Sequence, residues 1–342
     1  MKEEMIAIPQ NIFIASVIKG MTNIKANSKP FLLTTKDGDI IPNDFRKRKG
    51  IGTEYKITYS KLFETDKKNK EKQEVRLGIT FKNFFIEDQN TYPKFTDKHL
   101  KMILYLLQQK ESEIEFLATD FNKLCGLIKD SVNTESAYKI LEDLTSIEIR
   151  IINDENEFIG EMEFFSLLQI IKKRMKIKNI SFIKLLNQNG IETEETLSRA
   201  KLRITELIDF DNVGTMYVPK EFFELKIDKT GNLGATSLAY NLLYIASVNK
   251  DKNKTTYTYN VSTVLNWIGV TENDYKEFFD RNKSKTHKYY VSKLERLFHQ
   301  LETCGIKAEL KGVKVKNKNE FYLKEQVIVD LTVFKNNLMK QS

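Results

Sequence analysis

KTHKYYVSKLERLFHQLETC, residues 285–304, runs into GIKAELKGVKVKNKNEFYLKEQVIVDLTV, residues 305–333. At 100° per residue, Tyr290, Leu294, Leu297, Phe298 and Leu301 fall on one stripe, which predicts an amphipathic helix over 285–304 closed by Gly305. Opposite the stripe lie Lys285, Lys288, Tyr289, Ser292 and Arg296, with Lys293 on the flank and Glu295 the one acid close by. Two alternating runs follow. The first carries Ile306, Ala308, Leu310, Val313 and Val315; the second carries Phe321, Leu323, Val327, Val329, Leu331 and Val333. A basic tip separates them, with Lys311, Lys314, Lys316 and Lys318. Alternation with a polar tip predicts a two-stranded hairpin.

Upstream, Val261 to Ile268 is a short apolar helix candidate closing on Gly269, and Tyr275-Lys-Glu-Phe-Phe-Asp forms a link to the long helix. Helix, turn, helix and two-stranded wing is the order of a winged helix-turn-helix. A basic helix followed by a basic wing offers charge to a major groove and to the phosphates beside it. The same composition also suits a solvated helix face, since surface helices are commonly charged.

The same order recurs earlier in the chain. Phe95-Thr-Asp-Lys-His-Leu-Lys-Met-Ile-Leu-Tyr-Leu-Leu reads as a helix with Thr96 as N-cap and an acid in its first turn. A second helix is expected over 116–127. A third starts near Thr134, with Ala137, Ile140, Leu141 and Leu144 on one face. A hairpin is expected from Ile147-Glu-Ile-Arg-Ile-Ile through a turn at 153–156 to 158–168. The helix opening the later unit is expected over 236–248, with Leu238, Leu242, Leu243, Ile245 and Ala246 on its apolar face. Between the units, 182–187 and 193–207 read as helical. Residues 1–92 read as β-rich, with Tyr55-Lys-Ile-Thr-Tyr and Val75-Arg-Leu-Gly-Ile-Thr-Phe as strands. Basic runs at Arg46-Lys-Arg-Lys and Lys67-Lys-Asn-Lys suit solvated loops or a phosphate-contacting arm.

The expected class is therefore α+β, with two tandem winged helix-turn-helix domains after a β-rich N-terminal segment. The boundaries are 1–92 for that segment, 93–180 for the first winged-helix domain, 181–235 for a structured linker and 236–342 for the second, DNA-binding domain. The 342 residues suffice for about two domains. A net charge of +8 favours polyanionic partners, although 30% of residues are charged and both signs are abundant. No apolar run is long enough to span a bilayer, and the opening residues are not a signal peptide, so no membrane partner and a cytoplasmic location are expected. Cys125 and Cys304 read as buried hydrophobes in a reducing compartment.

Catalysis finds little support. His99, His287 and His299 are isolated, without a second ligand at metal spacing, so no metal is expected. Tyrosine-dependent DNA nicking needs a paired-histidine metal site, and no His-x-His is present. No phosphate-cradling Gly-x-x-x-x-Gly-Lys-Ser/Thr occurs, so no nucleotide cofactor is expected. Asp209-Phe-Asp and Asp154-Glu-Asn-Glu are acids in turn-forming stretches, where acids are common. The chain is expected to bind rather than to catalyse.

Over roughly 93–334 the chain resembles the plasmid replication initiators that bind iterons. In the first unit the matching pieces are the 95–107 stretch, Tyr138-Lys-Ile-Leu-Glu-Asp-Leu and Phe164-Phe-Ser-Leu-Leu; in the second they are Ser237-Leu-Ala-Tyr-Asn-Leu-Leu-Tyr and Tyr275-Lys-Glu-Phe-Phe. Leu242-Leu243-Tyr244 stands without the arginine the family usually places before that leucine-tyrosine pair. The resemblance implies a sequence-specific double-stranded DNA-binding protein that initiates replication at repeated origin sites. It also implies a homodimer through the first domain and contact with host replication proteins. In the first unit Glu135, Glu142 and Asp143 oppose Lys139 on the third helix, and like charge against phosphate favours a dimerisation or partner role there. The residues expected on DNA are Lys285, Lys288, Tyr289, Ser292, Lys293 and Arg296 from the helix, with Lys314, Lys316 and Lys318 from the wing. A winged-helix transcriptional regulator, or a protein-interaction or inhibitor module whose basic surface meets an acidic partner, fits the same residues.

Overall fold

The computed structural model describes residues 4–10, 18, 52–61, 71–81, 95–127, 131–145, 147–153, 162–166, 168–174, 199–204, 214–227, 233–248, 253–282, 284–311 and 325–339. Helices and antiparallel strands are mixed along the chain, an α+β fold. Strands β1 (Met5–Gln10), β2 (Gly52–Lys61) and β3 (Glu71–Phe81) come first. Then follow α1 (Asp97–Leu107), β4 (Glu113–Phe116), α2 (Ala118–Leu124) and α3 (Ser131–Thr145). Next come β5 (Ile147–Asn153), β6 (Met162–Ser166), β7 (Leu168–Arg174), β8 (Arg199–Ile204) and β9 (Gly214–Pro219). The second half has α4 (Glu221–Glu224), α5 (Ala235–Val248), β10 (Thr256–Asn260), α6 (Val261–Trp267), α7 (Glu272–Asn282) and α8 (Ser284–Leu301). It ends with β11 (Lys307–Lys311), β12 (Gln326–Asp330) and α9 (Thr332–Met339).

Two three-stranded antiparallel sheets share one plan. In β4–β8–β7 and in β10–β12–β11 the last strand in sequence lies at the centre. The first strand, which in each case follows the opening helix, takes one edge. In the second sheet Ala308 faces Val329 and Tyr257 also faces Val329, so the buried valines of β12 line the core side. A four-stranded sheet, β2–β3–β5–β6, and a two-stranded ribbon, β1–β9, complete the topology.

Several elements differ from the sequence expectation. The hairpin at 147–166 forms, but it pairs through β5 with β3. The sheet that includes β4 is instead completed by β7 and β8. Strand pairing thus crosses residue 92 in two places, β3 with β5 and β1 with β9. Residues 199–204, expected within a helix, are strand β8. Arg-Ala-Lys-Leu-Arg-Ile alternates strictly, Leu202 and Ile204 are buried, and Arg203 reaches out to Glu113 opposite it in register. The link at 275–280 is helical, as part of α7, and Phe116 ends β4 rather than opening a helix. The other proposed helical stretches of the linker, 182–187 and 193–198, lie outside the described residues, as do the basic runs at 46–49 and 67–70.

Local chemistry fixes the helix ends. Thr96 Oγ1 accepts the Lys98 N–H at 3.2 Å, and His99 Nδ1 accepts the Thr96 N–H at 3.2 Å, capping α1 reciprocally. Because Nδ1 accepts, Nε2 carries the ring proton and donates it to Asp143 on α3, 3.1 Å away. α8 passes into a 3-10 turn at Glu302–Cys304 and stops at Gly305, whose φ of 70° is the left-handed region. A Cβ there would lie 3.2 Å from Val333 Cγ1.

The two halves are joined through α1. Asp97 is 0% and Lys101 1% exposed. The Asp97 carboxylate accepts the N–H groups of Gly234 (3.0 Å), Thr236 (3.1 Å) and Ser237 (3.3 Å), so it caps α5 from another element. One turn on, Lys101 Nζ donates to the carbonyls of Phe223 (2.7 Å) and Leu225 (2.6 Å) at the end of α4. Burial pushes the Asp97 carboxyl up, against the pull of the Gly234 and Thr236 N–H groups and of Lys101. Burial likewise pulls the Lys101 ammonium down.

Candidate nucleic-acid interface

Helix α8 lies against the β10–β12–β11 sheet with the expected stripe inward: Tyr290, Leu294, Leu297, Phe298 and Leu301 are all buried. Lys285, Lys288, Tyr289, Ser292 and Arg296 are all exposed. The sequence reading of this face therefore matches the side-chain positions for five residues. Lys293 is different, at 7% exposure. It lines a groove of about 310 Å³ between α7 and α8, with Asp274, Glu277, Phe278, Arg281 and Tyr289. Its flank of α8 is the one that α7 covers. Lys314, Lys316 and Lys318 lie outside the described residues, and β11 ends at the exposed Lys311.

The two neighbouring helices treat their cations differently. On α7, Lys276 pairs with Glu272 at 2.6 Å and Arg281 with Glu277 at 3.1 Å, each one turn apart. On α8, Lys285, Lys288 and Arg296 enter no ion pair with any described residue, and Arg296 Nε donates only to the Ser292 carbonyl, 3.2 Å away on its own helix. Tyr289 is 45% exposed, yet its ring stacks on Phe278 of α7, with centroids 4.8 Å apart. That contact orients the ring while much of the residue stays open to solvent. The surface so formed combines hydroxyl and aromatic groups with a row of cations that form no ion pair with any described residue, on a helix packed from behind. It can donate to phosphate oxygens and to base edges.

The sequence reads His287, in the first turn of α8, as an isolated histidine, and the structure gives it a partner. Its Nε2 lies 3.9 Å from Glu325, which immediately precedes β12. A lone histidine and a lone glutamate far apart in sequence carry no signal that they meet. On α3, Asp143 turns towards His99, so one of the acids expected on that helix surface is engaged within the fold.

Among the described residues no cluster of three or more His, Cys, Asp or Glu side chains could hold a metal, and no helix is long and apolar enough to cross a membrane. No family model matches the chain, and no curated protein sequence matches it. Among solved structures it is similar to a crystal structure of selenomethionine derivatives of domains 2 and 3 of RctB. The TM-score is 0.42 at 10% identity, covering 81% of this chain and 90% of that one. A second crystal structure of RctB domains 2-3 gives a TM-score of 0.39 at 10% identity, covering 84% and 94%.

Proposed function

We propose that the chain is a non-catalytic, sequence-specific double-stranded DNA-binding protein built from two tandem winged-helix units. In this reading α8 enters the major groove and the β11–β12 wing reaches the flanking backbone. The observation that carries the reading is the row Lys285, Lys288 and Arg296. These cations are exposed, unpaired with described residues, and set on the solvent side of a helix whose other side is fully packed. Elsewhere in this half exposed cations on α7 are neutralised by their own helix. The repeated sheet plan supports the tandem reading. Arg296 suits a bidentate contact with guanine, and Lys288 can donate to guanine as well.

The finer reading is a replication initiator that binds repeated origin sites, with the first unit serving a homodimer and host replication proteins as further partners. It rests on the resemblance of the element order and spacing to iteron-binding initiators. Selection of duplexes from a random pool, followed by footprinting on the chain's own replicon, tests it. The expected outcome is one recovered motif recurring at regular spacing near an origin. Replacing Arg296 with alanine is expected to cost about 1–3 kcal/mol and to relax one position of that motif. Recovery of no motif, or an Arg296→Ala profile identical to the parent's, would overturn the reading of α8.

A further inference from the structure

At the root of the wing a buried carboxylate faces the reading helix. Glu325 is 6% exposed, and its Oε2 accepts no hydrogen bond from any described residue. Its backbone carbonyl accepts the Val261 N–H at 2.9 Å, which pins it to the start of α6. Its ion-pair partner is His287 Nε2 at 3.9 Å, on a side chain about one-third exposed. Tyr275 of α7 is also buried here, its ring 5.0 Å from that of Tyr290. Burial, and then the charge of Glu325, push the Tyr275 phenol up to about 12, so it stays neutral throughout the physiological range. Among the described residues, Lys285 and Lys288 stand beside His287 in sequence on its own helix, and both are exposed.

We propose that His287 is a positioning residue which, when protonated, clamps the root of the wing to the reading helix through Glu325 and so tightens duplex binding on the acid side of neutrality. The inference rests on the reading of α8 and the wing as the DNA surface. A wing adds affinity only if its root holds a fixed angle to the helix in the groove. With neutral imidazole, Glu325 is a buried carboxylate without a cation among the described residues, and that is costly. Burial accordingly pushes its carboxyl up. Protonation of the ring supplies the cation and draws the two elements together. Imidazole gains its proton as pH falls, so the clamp is present below the ring's titration and is lost as pH rises through it. At the acid end it is lost again once Glu325 itself takes a proton, which burial moves above the ordinary carboxylate range. The other histidines serve as internal controls: His299 pairs with Glu302 at the far end of α8, and His99 is held by Asp143.

The test is fluorescence anisotropy with a labelled duplex selected from a random pool, at constant ionic strength, at about pH 6 and about pH 8. The full chain is expected to bind roughly two- to five-fold more tightly at the lower pH, the range of an ion pair with one partly exposed member. His287→Gln and Glu325→Gln should each abolish that difference, while His299→Gln should retain it. His287→Lys, which keeps a positive charge at both values, should hold the tighter affinity at both, and it decides the matter if the glutamine variants bind too weakly to compare. Binding without a pH difference, or a His287→Gln variant that keeps the full difference, would overturn the clamp and leave the DNA-binding reading intact. Absence of duplex binding by the parent chain at either pH would overturn both.

Discussion

Lys101→Met is the perturbation that most strains the account of how the two halves are joined. The ammonium is buried and donates two short bonds, to the Phe223 and Leu225 carbonyls, while Asp97 sits one turn before it. Hydrogen bonds from charged donors contribute about 1.5–3 kcal/mol each, and the substitution strands two buried acceptors. It also leaves the Asp97 carboxylate without its nearby cation. Methionine fills much of the same volume and removes the desolvation cost of the ammonium, which offsets part of the loss. The expected net effect is about 3–5 kcal/mol, the range found when one member of a buried charged set is removed. The chain has a single tryptophan, Trp267, and it reports on the second half: its carbonyl accepts from Ser237 Oγ at 2.6 Å and its ring meets Tyr259 at 4.9 Å. Urea unfolding followed by Trp267 fluorescence therefore reads the second half while the substitution sits on the first helix of the first. A Trp267 transition displaced to lower urea is the expected result. A transition unchanged to within about 0.5 kcal/mol would refute the claim that α1 holds the two halves together.

Gly305→Ala is expected to destabilise the second half by about 1–2 kcal/mol, because φ is 70° and the new methyl would meet Val333 and the Phe334 N–H within 3.3 Å; a thermal melt checks it. Burial pushes the Cys125 thiol up to about 11, and Cys304 is fully buried, so neither is expected to react with iodoacetamide in the native chain at about pH 8, while both react in denaturant, as read by mass spectrometry. Lys316→Ala is expected to weaken binding to all duplex sequences alike and to lower the salt slope by about one unit, measured by anisotropy across a salt series.

What could be read from the sequence, and what could not, follows the range of the interactions. The stripe from Tyr290 to Leu301 is a local, helix-period signal, and it correctly assigned both the buried and the exposed sides of α8. Gly305 as the stop and the alternation over 307–311 and 326–330 are equally local, whereas Val333, read as the end of the second strand, lies in α9. The helical angle puts Lys293 on the flank of α8 but says nothing of what packs there; 272–282 coils into α7 and covers that flank. Strand β8 is short, and what makes it a strand is pairing with β4 and β7, both distant in sequence. Asp97 and Lys101 look like an ordinary solvated pair one helical turn apart. Only partners at 223–237 turn them inward, and nothing near residue 100 announces those partners.

The central claim is that the outward row of α8 is the DNA surface, and the salt dependence of duplex binding tests it most directly. For the parent chain, the logarithm of the binding constant is expected to fall linearly and steeply with the logarithm of salt concentration. A variant with alanine at Lys285, Lys288 and Arg296 should lose up to roughly 0.9 units of slope for each cation that meets a phosphate. A slope that the triple substitution leaves unchanged would contradict the claim and place the DNA contact elsewhere on the chain.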